Sequence, residues 1–312
     1  VFDGSRAGQK IAANIYRPRV QTSGEGAKRV TLLLAHANGF HKELWEPSLE
    51  HLFAHSTKQC FVAEAVALDG YNHGDSAVLN RQSVTGETFS PWFLSARDIL
   101  AVLSQLGGSR SVVGIGHSWG ASSLLLAEII SPLSFAAIIA TDPVLFTEPN
   151  ANDEISAMTM KRRAVWDSES AARNYFDSHP FFGAWDARIR GLHIKHGLEP
   201  AATADTDERL VLKCRPDNEA AVYRGALHAS PFTTSNLWQI QCPTAFLTGE
   251  LSHLSPPQHI VKITSDMRDC TRVVMPGAGH LLVQEDPDGA ADHYTKLLDS
   301  FAPKLPCSTA NL

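Results

Sequence analysis

The chain reads as an α/β protein: a mostly parallel sheet flanked by helices, with a helical cap inserted after the sixth strand. Three observations predict this. Short apolar runs of strand length alternate with amphipathic helical segments along most of the 312 residues, the pattern of successive βαβ units. One run, "VTLLLAH" (30–36), is almost wholly apolar, which suits a strand covered on both faces. Between 147 and 232 the alternation stops. Segments such as "MKRRAVW", "ARNYFDSHPFFGAW" and "EAAVYRGALHAS" replace it, rich in aromatics and irregular in helical spacing. Residues 1–146 and 233–312 are therefore the expected core, and 147–232 the cap.

In chain order, "IAANIY" (11–16) alternates weakly and runs into a polar turn with proline. "CFVAEAVALD" (60–69) is a strand that stops at Asp69 and Gly70. "SPWFLSARDILAVLSQLG" (90–107) fits a helix, with Ser90 as cap, Pro91 in the first turn and Gly107 closing it. "SVVGIG" (111–116) is a strand of β-branched and small residues, followed at once by helical "GASSLLLAEII". "FAAIIATDP" (135–143) is the strand counted sixth and ends in Asp142-Pro143. Beyond the cap, "TAFLTGE" (244–250) and "TRVVMPG" (271–277) are strands, separated by "SPPQHIVKITSDM", which turns helical after its prolines. "PDGAADHYTKLLDSFAP" (287–303) is a final amphipathic helix stopping at Pro303.

Bulk composition narrows the function classes. The chain is 44% hydrophobic and 19% charged with a formal net charge of −6, so nothing points to nucleic acid or an anionic membrane surface. "KRR" at 161–163 is too short to count as a basic patch. The longest apolar run, near 135–140, falls well short of the roughly 18 residues of a membrane span. The five cysteines (Cys60, Cys214, Cys242, Cys270 and Cys307) are odd in number and lack a C-x-x-C pair. That argues against a disulfide framework or a zinc site and for a reducing compartment. The sequence starts at Val1, and no signal peptide is expected from it.

The chemistry-bearing stretch is "GIGHSWGASS" (114–123). A G-x-S-x-G arises by chance in about one chain in ten of this composition, so the pentapeptide needs its context. Here a strand precedes it and a helix follows, as a serine held out on a sharp turn requires. Gly116 and Gly120 leave room where strand and helix approach. Ser118 is thus the candidate nucleophile. Serine needs a base, and "PGAGH" (276–280) places His280 on a glycine-rich loop between the last strand and the last helix. The acid has two candidates. Asp142 ends a strand at the same sheet edge, with Glu250 the fallback; three residues past Gly249, where an aspartate is usual, stands Ser252. An oxyanion hole would pair the N–H of Trp119 with one from "HANGFHKELW" (36–45): Asn38 by preference, with Ala37 or Phe40 also open. Asp69, His73 and Asp75 in "DGYNHGDS" (69–76) are assigned to loop architecture.

These residues together resemble the serine α/β-hydrolases over nearly the whole chain. More narrowly, "NHGDSAVLNR", "GHSWG", "DPV" and "SPPQ" are similar to fungal peroxisomal hydrolases, a group that includes a yeast peroxisomal lipase and hydrolases of host-selective-toxin biosynthesis. The resemblance implies a Ser-His-acid hydrolase acting on an ester, thioester or lactone. The absence of aspartate at 252 fits relatives whose acid follows the sixth strand, and so favours Asp142. Trp119, bulky at its position, is expected to narrow the acyl pocket. The tail Ala310-Asn311-Leu312 resembles a weak variant of the S-K-L peroxisomal address, which implies a peroxisomal import receptor as partner; the cytoplasm is the alternative location.

The sequence therefore reads as a hydrolase of a small apolar ester-type substrate, working without metal or organic cofactor. Trp166, Phe181, Phe182 and Trp185 of the cap are the candidate substrate-facing residues. Two rival readings stand beside it. One is a carbon–carbon bond hydrolase or Dieckmann-type cyclase of fungal secondary metabolism using the same triad; the other is a non-catalytic ligand-binding protein. Oligomeric state is not legible.

Overall fold

Continuous burial along Lys28–Ala35, from Val30 onward, marks the middle of a sheet covered on both faces. The computed structural model describes residues 1–19, 27–55, 59–84, 88–107, 111–150, 152–201 and 208–306; the tail tripeptide 310–312 lies outside them. Seven strands form the main sheet: β1 (Ala13–Tyr16), β2 (Lys28–Ala35), β3 (Cys60–Leu68), β4 (Val112–His117), β5 (Ala137–Thr141), β6 (Thr244–Gly249) and β7 (Cys270–Met275). Their order is β7-β6-β5-β4-β2-β3-β1, parallel throughout except for β1, which pairs antiparallel with β3. The strand ending at Thr141 is the fifth of this sheet, not the sixth.

Strand alternation sends side chains to two cores. Leu33, Val66, Ile138 and Phe246 meet helices α2 (Trp92–Leu106) and α3 (Trp119–Ile130) on one face. Leu32, Leu34, Ala67, Ile139 and Leu247 meet α1 (Glu46–Ala54) and the C-terminal helix Pro287–Phe301 on the other. Each fully buried leucine contributes about 1.5–3 kcal/mol relative to exposure, so β2 is a main anchor of the fold. Ser90 does not cap α2. The N-cap is Pro91, while the Ser90 hydroxyl lies 2.9 Å from that of Tyr71 and its N–H donates to Ala221 O at 3.0 Å.

Between β5 and β6 the chain makes a long excursion. It contains helices Asp153–Thr159, Glu169–Ser178, Pro180–Gly183 and Ala187–Gly197, and the long helix Pro216–Ser235. It also holds a small antiparallel sheet of Val165–Trp166, Leu210–Leu212 and Leu198–Pro200, so the excursion is not purely helical. Pro216–Ser235 ties it to the core: Trp92 Nε1 donates to Val222 O at 2.8 Å. Among the described residues no helix is long and apolar enough to cross a membrane.

Chain order reverses between β2 and β4, because β2 is followed by β3 on one side and β4 lies on the other. Parallel sheets open a crevice beyond their carboxyl ends at such a point. The loop after β2 and the turn after β4 both emerge there.

Candidate active site

Ser118 sits on that turn with φ 55° and ψ −119°, a left-handed conformation that non-glycine residues rarely hold. The flanking glycines make the turn feasible. A Cβ on Gly116 would lie 2.6 Å from Ala121 N, and one on Gly120 would lie 2.5 Å from His36 O. Both obstacles are backbone, which cannot swing aside. The Ser118 hydroxyl is thereby lifted out of the strand, 3.0 Å from His280 Nε2.

His280 follows β7 on its glycine turn, and its Nδ1 lies 2.7 Å from Asp142 Oδ1. Asp142 is wholly buried at the end of β5, also with positive φ (43°). Its carboxylate accepts the Gly249 N–H on Oδ2 (2.9 Å) and the Ser252 hydroxyl on Oδ1 (2.6 Å). Burial without such donors would cost several kcal/mol. Glu250 is not in this run: exposed at the surface, it accepts Gly277 N–H at 2.8 Å. His117 holds His280 from behind. Burial, with His280 adjacent, pushes its pKa down to about 3, so it is neutral and donates Nε2–H to His280 O at 2.8 Å.

The loop after β2 is held from two sides. Gly39 N–H and Asn38 Oδ1 both face His73 Nε2, at 2.9 and 3.0 Å, so either tautomer of His73 keeps a bond to the loop. Burial holds the His73 pKa well below its usual value. From the excursion, Glu219 O accepts Asn38 Nδ2–H at 3.0 Å. Phe40 N–H bonds Ala37 O, whereas the amides of Ala37 and Asn38 have no partner among the described residues. Trp119 N–H lies in the first turn of α3, where helical amides lack intrahelical acceptors. The Trp119 ring packs against His73 and His36, with centroids 5.0 and 5.9 Å away.

Asp69 and Asp75 belong to a structural network centred on Lys42, a fully buried lysine. Its ammonium lies 2.9 Å from Asp69, 2.6 Å from Asp75 and 2.8 Å from Glu43. Burial alone would lower its pKa; the three carboxylates reverse that and raise it. Asp75 also meets Lys213 of the excursion at 2.6 Å.

A cavity of about 300 Å³ opens above Ser118 and His280. Asn38, Phe40 and Trp119 line it from the core, and Phe181, Phe182, Arg162, Glu219 and Tyr223 from the excursion. Trp166 and Trp185 do not reach it. Trp166 is buried against Tyr175 and Phe176 inside the excursion, and Trp185 against Phe182 and against Phe40 of the loop after β2, so both are packing residues. Among the described residues no group of three or more His, Cys, Asp or Glu side chains could hold a metal ion.

Ser252 and His117 have local signals in the sequence, one as the missing aspartate and one inside the serine motif, yet neither suggests its partner there. Arg162 and Glu219 have none. They are 57 positions apart and meet only through the fold of the excursion.

Comparison with known proteins identifies the family of this fold. A family model described as "Alpha/beta hydrolase family" matches residues 32–293. The chain is 26% identical to the peroxisomal membrane protein LPX1 of Saccharomyces cerevisiae over 94% of this chain and 81% of that one. The solved structure of the same yeast peroxisomal alpha-beta-hydrolase superposes with a TM-score of 0.80 at 23% identity, covering 98% of this chain and 93% of that one. The abhydrolase domain-containing protein ACTT2-1 of Alternaria alternata is 24% identical over 61% of this chain and 84% of its own length. The type I acyl-CoA thioesterase mpaH' of Penicillium brevicompactum is 24% identical over 55% of this chain and 41% of its own length.

Proposed function

The chain belongs to the alpha/beta hydrolase family, and from that premise we propose that it cleaves a carboxylic ester, thioester or lactone of an apolar substrate through Ser118, His280 and Asp142. Ser118 Oγ attacks the carbonyl carbon while His280 Nε2 takes its proton. Asp142 keeps the proton of His280 on Nδ1, leaving Nε2 able to accept, and stabilises the imidazolium that forms. The amides of Asn38 and Trp119 receive the oxyanion. His280 then returns the proton to the departing oxygen or sulfur. Water activated by the same imidazole hydrolyses the acyl-enzyme.

The observation that carries this reading is the unbroken run of hydrogen bonds from Ser118 Oγ through His280 to Asp142, opening on a largely apolar cavity. Residues 147–232 act as the cap over it, with Phe181 and Phe182 towards the substrate. Likeness to a yeast peroxisomal protein supports a peroxisomal location, and import through Ala310-Asn311-Leu312 is the route proposed for it. A fluorescent fusion that stays peroxisomal without its last three residues would remove that assignment.

Intact-mass labelling with a fluorophosphonate tests the chemistry. Wild type should take one adduct, Ser118→Ala none. Asp142→Asn should label far more slowly, and Glu250→Gln at the wild-type rate. A panel of esters, thioesters and β-diketones then separates acyl transfer from carbon–carbon cleavage. A folded wild type that neither labels nor turns over any of them refutes the hydrolase reading in favour of ligand binding.

A further inference from the structure

One wall of the cavity is polar in a specific way. Arg162, just after helix Asp153–Thr159, donates through Nη1 to Glu219 Oε2 on the helix Pro216–Ser235. Glu219 is buried, its side chain 8% exposed; that of Arg162 is 24% exposed, and both line the cavity. Tyr223, one turn along from Glu219, lines it too. The Nε and Nη2 donors of Arg162 have no hydrogen-bond partner among the described residues. Around this wall the lining is mostly apolar: Phe40, Val144, Phe146, Ile155, Phe182 and Leu281 among it.

A guanidinium carries five N–H donors, and those turned from Glu219 need an acceptor once a ligand displaces water. Among the described residues none supplies one, so the ligand must. Its charge is constrained as well. The ion pair is already neutral, and a ligand carboxylate would leave a net negative charge enclosed beside Glu219, in surroundings that penalise an uncompensated charge by several kcal/mol. An uncharged oxygen satisfies the donors without that penalty.

We propose that the Arg162–Glu219 pair reads an uncharged oxygen acceptor, such as a keto or hydroxyl group, carried on the apolar chain of the substrate away from the reacting carbonyl. The site thereby selects an oxygenated chain over both a plain alkyl chain and a carboxylate-ended one. This rests on the ester-cleaving reading for its substrate class, but the recognition itself is a binding property.

The test uses four probes: p-nitrophenyl hexanoate, its 4-oxo and 5-oxo analogues, and mono-p-nitrophenyl adipate. Affinities are measured by titration calorimetry on Ser118→Ala, which keeps the esters intact, and kcat/KM on the enzyme with Ser118. At least one oxo ester should bind about tenfold more tightly than hexanoate, as a bond to a charged donor implies, and the adipate monoester most weakly. Adding Arg162→Met should erase the oxo advantage. Adding Glu219→Gln keeps the backbone carbonyl that holds Asn38 and leaves Arg162 unopposed, so the order should invert and the adipate monoester should bind best.

Equal affinity for hexanoate and both oxo esters in Ser118→Ala overturns the proposal, as does a parent preference for the adipate. Both results come from the parent background, so an unstable Arg162 or Glu219 variant does not rescue the idea. If Ser118→Ala binds in the stated order while the enzyme turns over no ester, the reaction assignment fails and the recognition stands.

Discussion

Replacing Asp142 by asparagine changes one oxygen to NH₂ without changing shape, and the structure dictates which way the amide turns. Oδ2 has the Gly249 N–H as its hydrogen-bond partner, a backbone donor that cannot rotate. Putting NH₂ there would set two donors face to face, at a cost of about 2 kcal/mol for the unsatisfied pair. The amide oxygen therefore takes the Oδ2 place and NH₂ takes the Oδ1 place, facing Ser252 Oγ and His280 Nδ1. The serine hydroxyl can turn to accept. The imidazole can accept only by moving its proton to Nε2, the atom that must take the proton of Ser118. A bias of 2 kcal/mol leaves about one molecule in thirty with a working base. The lost carboxylate also withdraws stabilisation from the imidazolium, about 4 kcal/mol for unit charges 4 Å apart at an effective dielectric of 20. Together these reduce kcat by about 10⁴-fold, the scale known for tautomer loss in serine triads. The assay is stopped-flow hydrolysis of p-nitrophenyl butyrate with fluorophosphonate labelling in parallel. A folded Asp142→Asn enzyme within tenfold of wild type would refute the tautomer argument, and a 10⁴-fold loss in Glu250→Gln would move the acid.

Ser252→Ala removes one donor to Asp142 and the acceptor of Ser255 N–H. It should lower stability by about 1–3 kcal/mol in urea unfolding while changing kcat less than tenfold, because the bond from His280 to Asp142 remains; a loss as large as that of Asp142→Asn would contradict this. Gly120→Ala drives a methyl into the carbonyls of Ala35 and His36, so it should unfold at a Tm many degrees lower or fail to express. A soluble, fully active Gly120→Ala would show that the turn has slack. Acid should destabilise the fold. His117 has a pKa of about 3 folded against 6.5 unfolded, so below pH 6.5 the unfolded chain binds the proton that the native state refuses. Stability is complete above 6.5 and falls by about 1.4 kcal/mol per pH unit per such histidine as the pH drops towards 3. His36, His73 and His193 are shifted down in the same sense. In unfolding midpoints measured between pH 6 and 4.5, His117→Phe should reduce the slope by about one proton. An unchanged slope would mean that His117 is protonated in the folded state.

What the sequence disclosed, and what it hid, follows from the range over which each feature is built. Ser118 and its glycines, the strand before and the helix after are consecutive, so a local pattern suffices. His280 was selected by its place after the last strand, which the segment 271–277 marks. The acid stayed open between Asp142 and Glu250 because the choice depends on how β5 lies against β6. That register, Thr141 opposite Leu247, sets Asp142 beside Gly249 and within reach of Ser252, and leaves Glu250 outside. No single stretch of sequence carries it. Ser90 misled for a similar reason: a good capping residue by type, its hydroxyl lies against that of Tyr71, 19 residues earlier. In the excursion, aromatic composition was readable but direction was not, so Trp166 and Trp185 looked as available to substrate as Phe181 and Phe182. Arg162 and Glu219 lay further still beyond reach, since an ion pair joining two separate helical regions has no footprint in either alone. The residues proposed to react are thus encoded at the ends of core strands, where periodicity speaks. The residues proposed to choose the substrate are encoded in how an irregular excursion packs back on the core, so relatives sharing the serine motif need not share a preference.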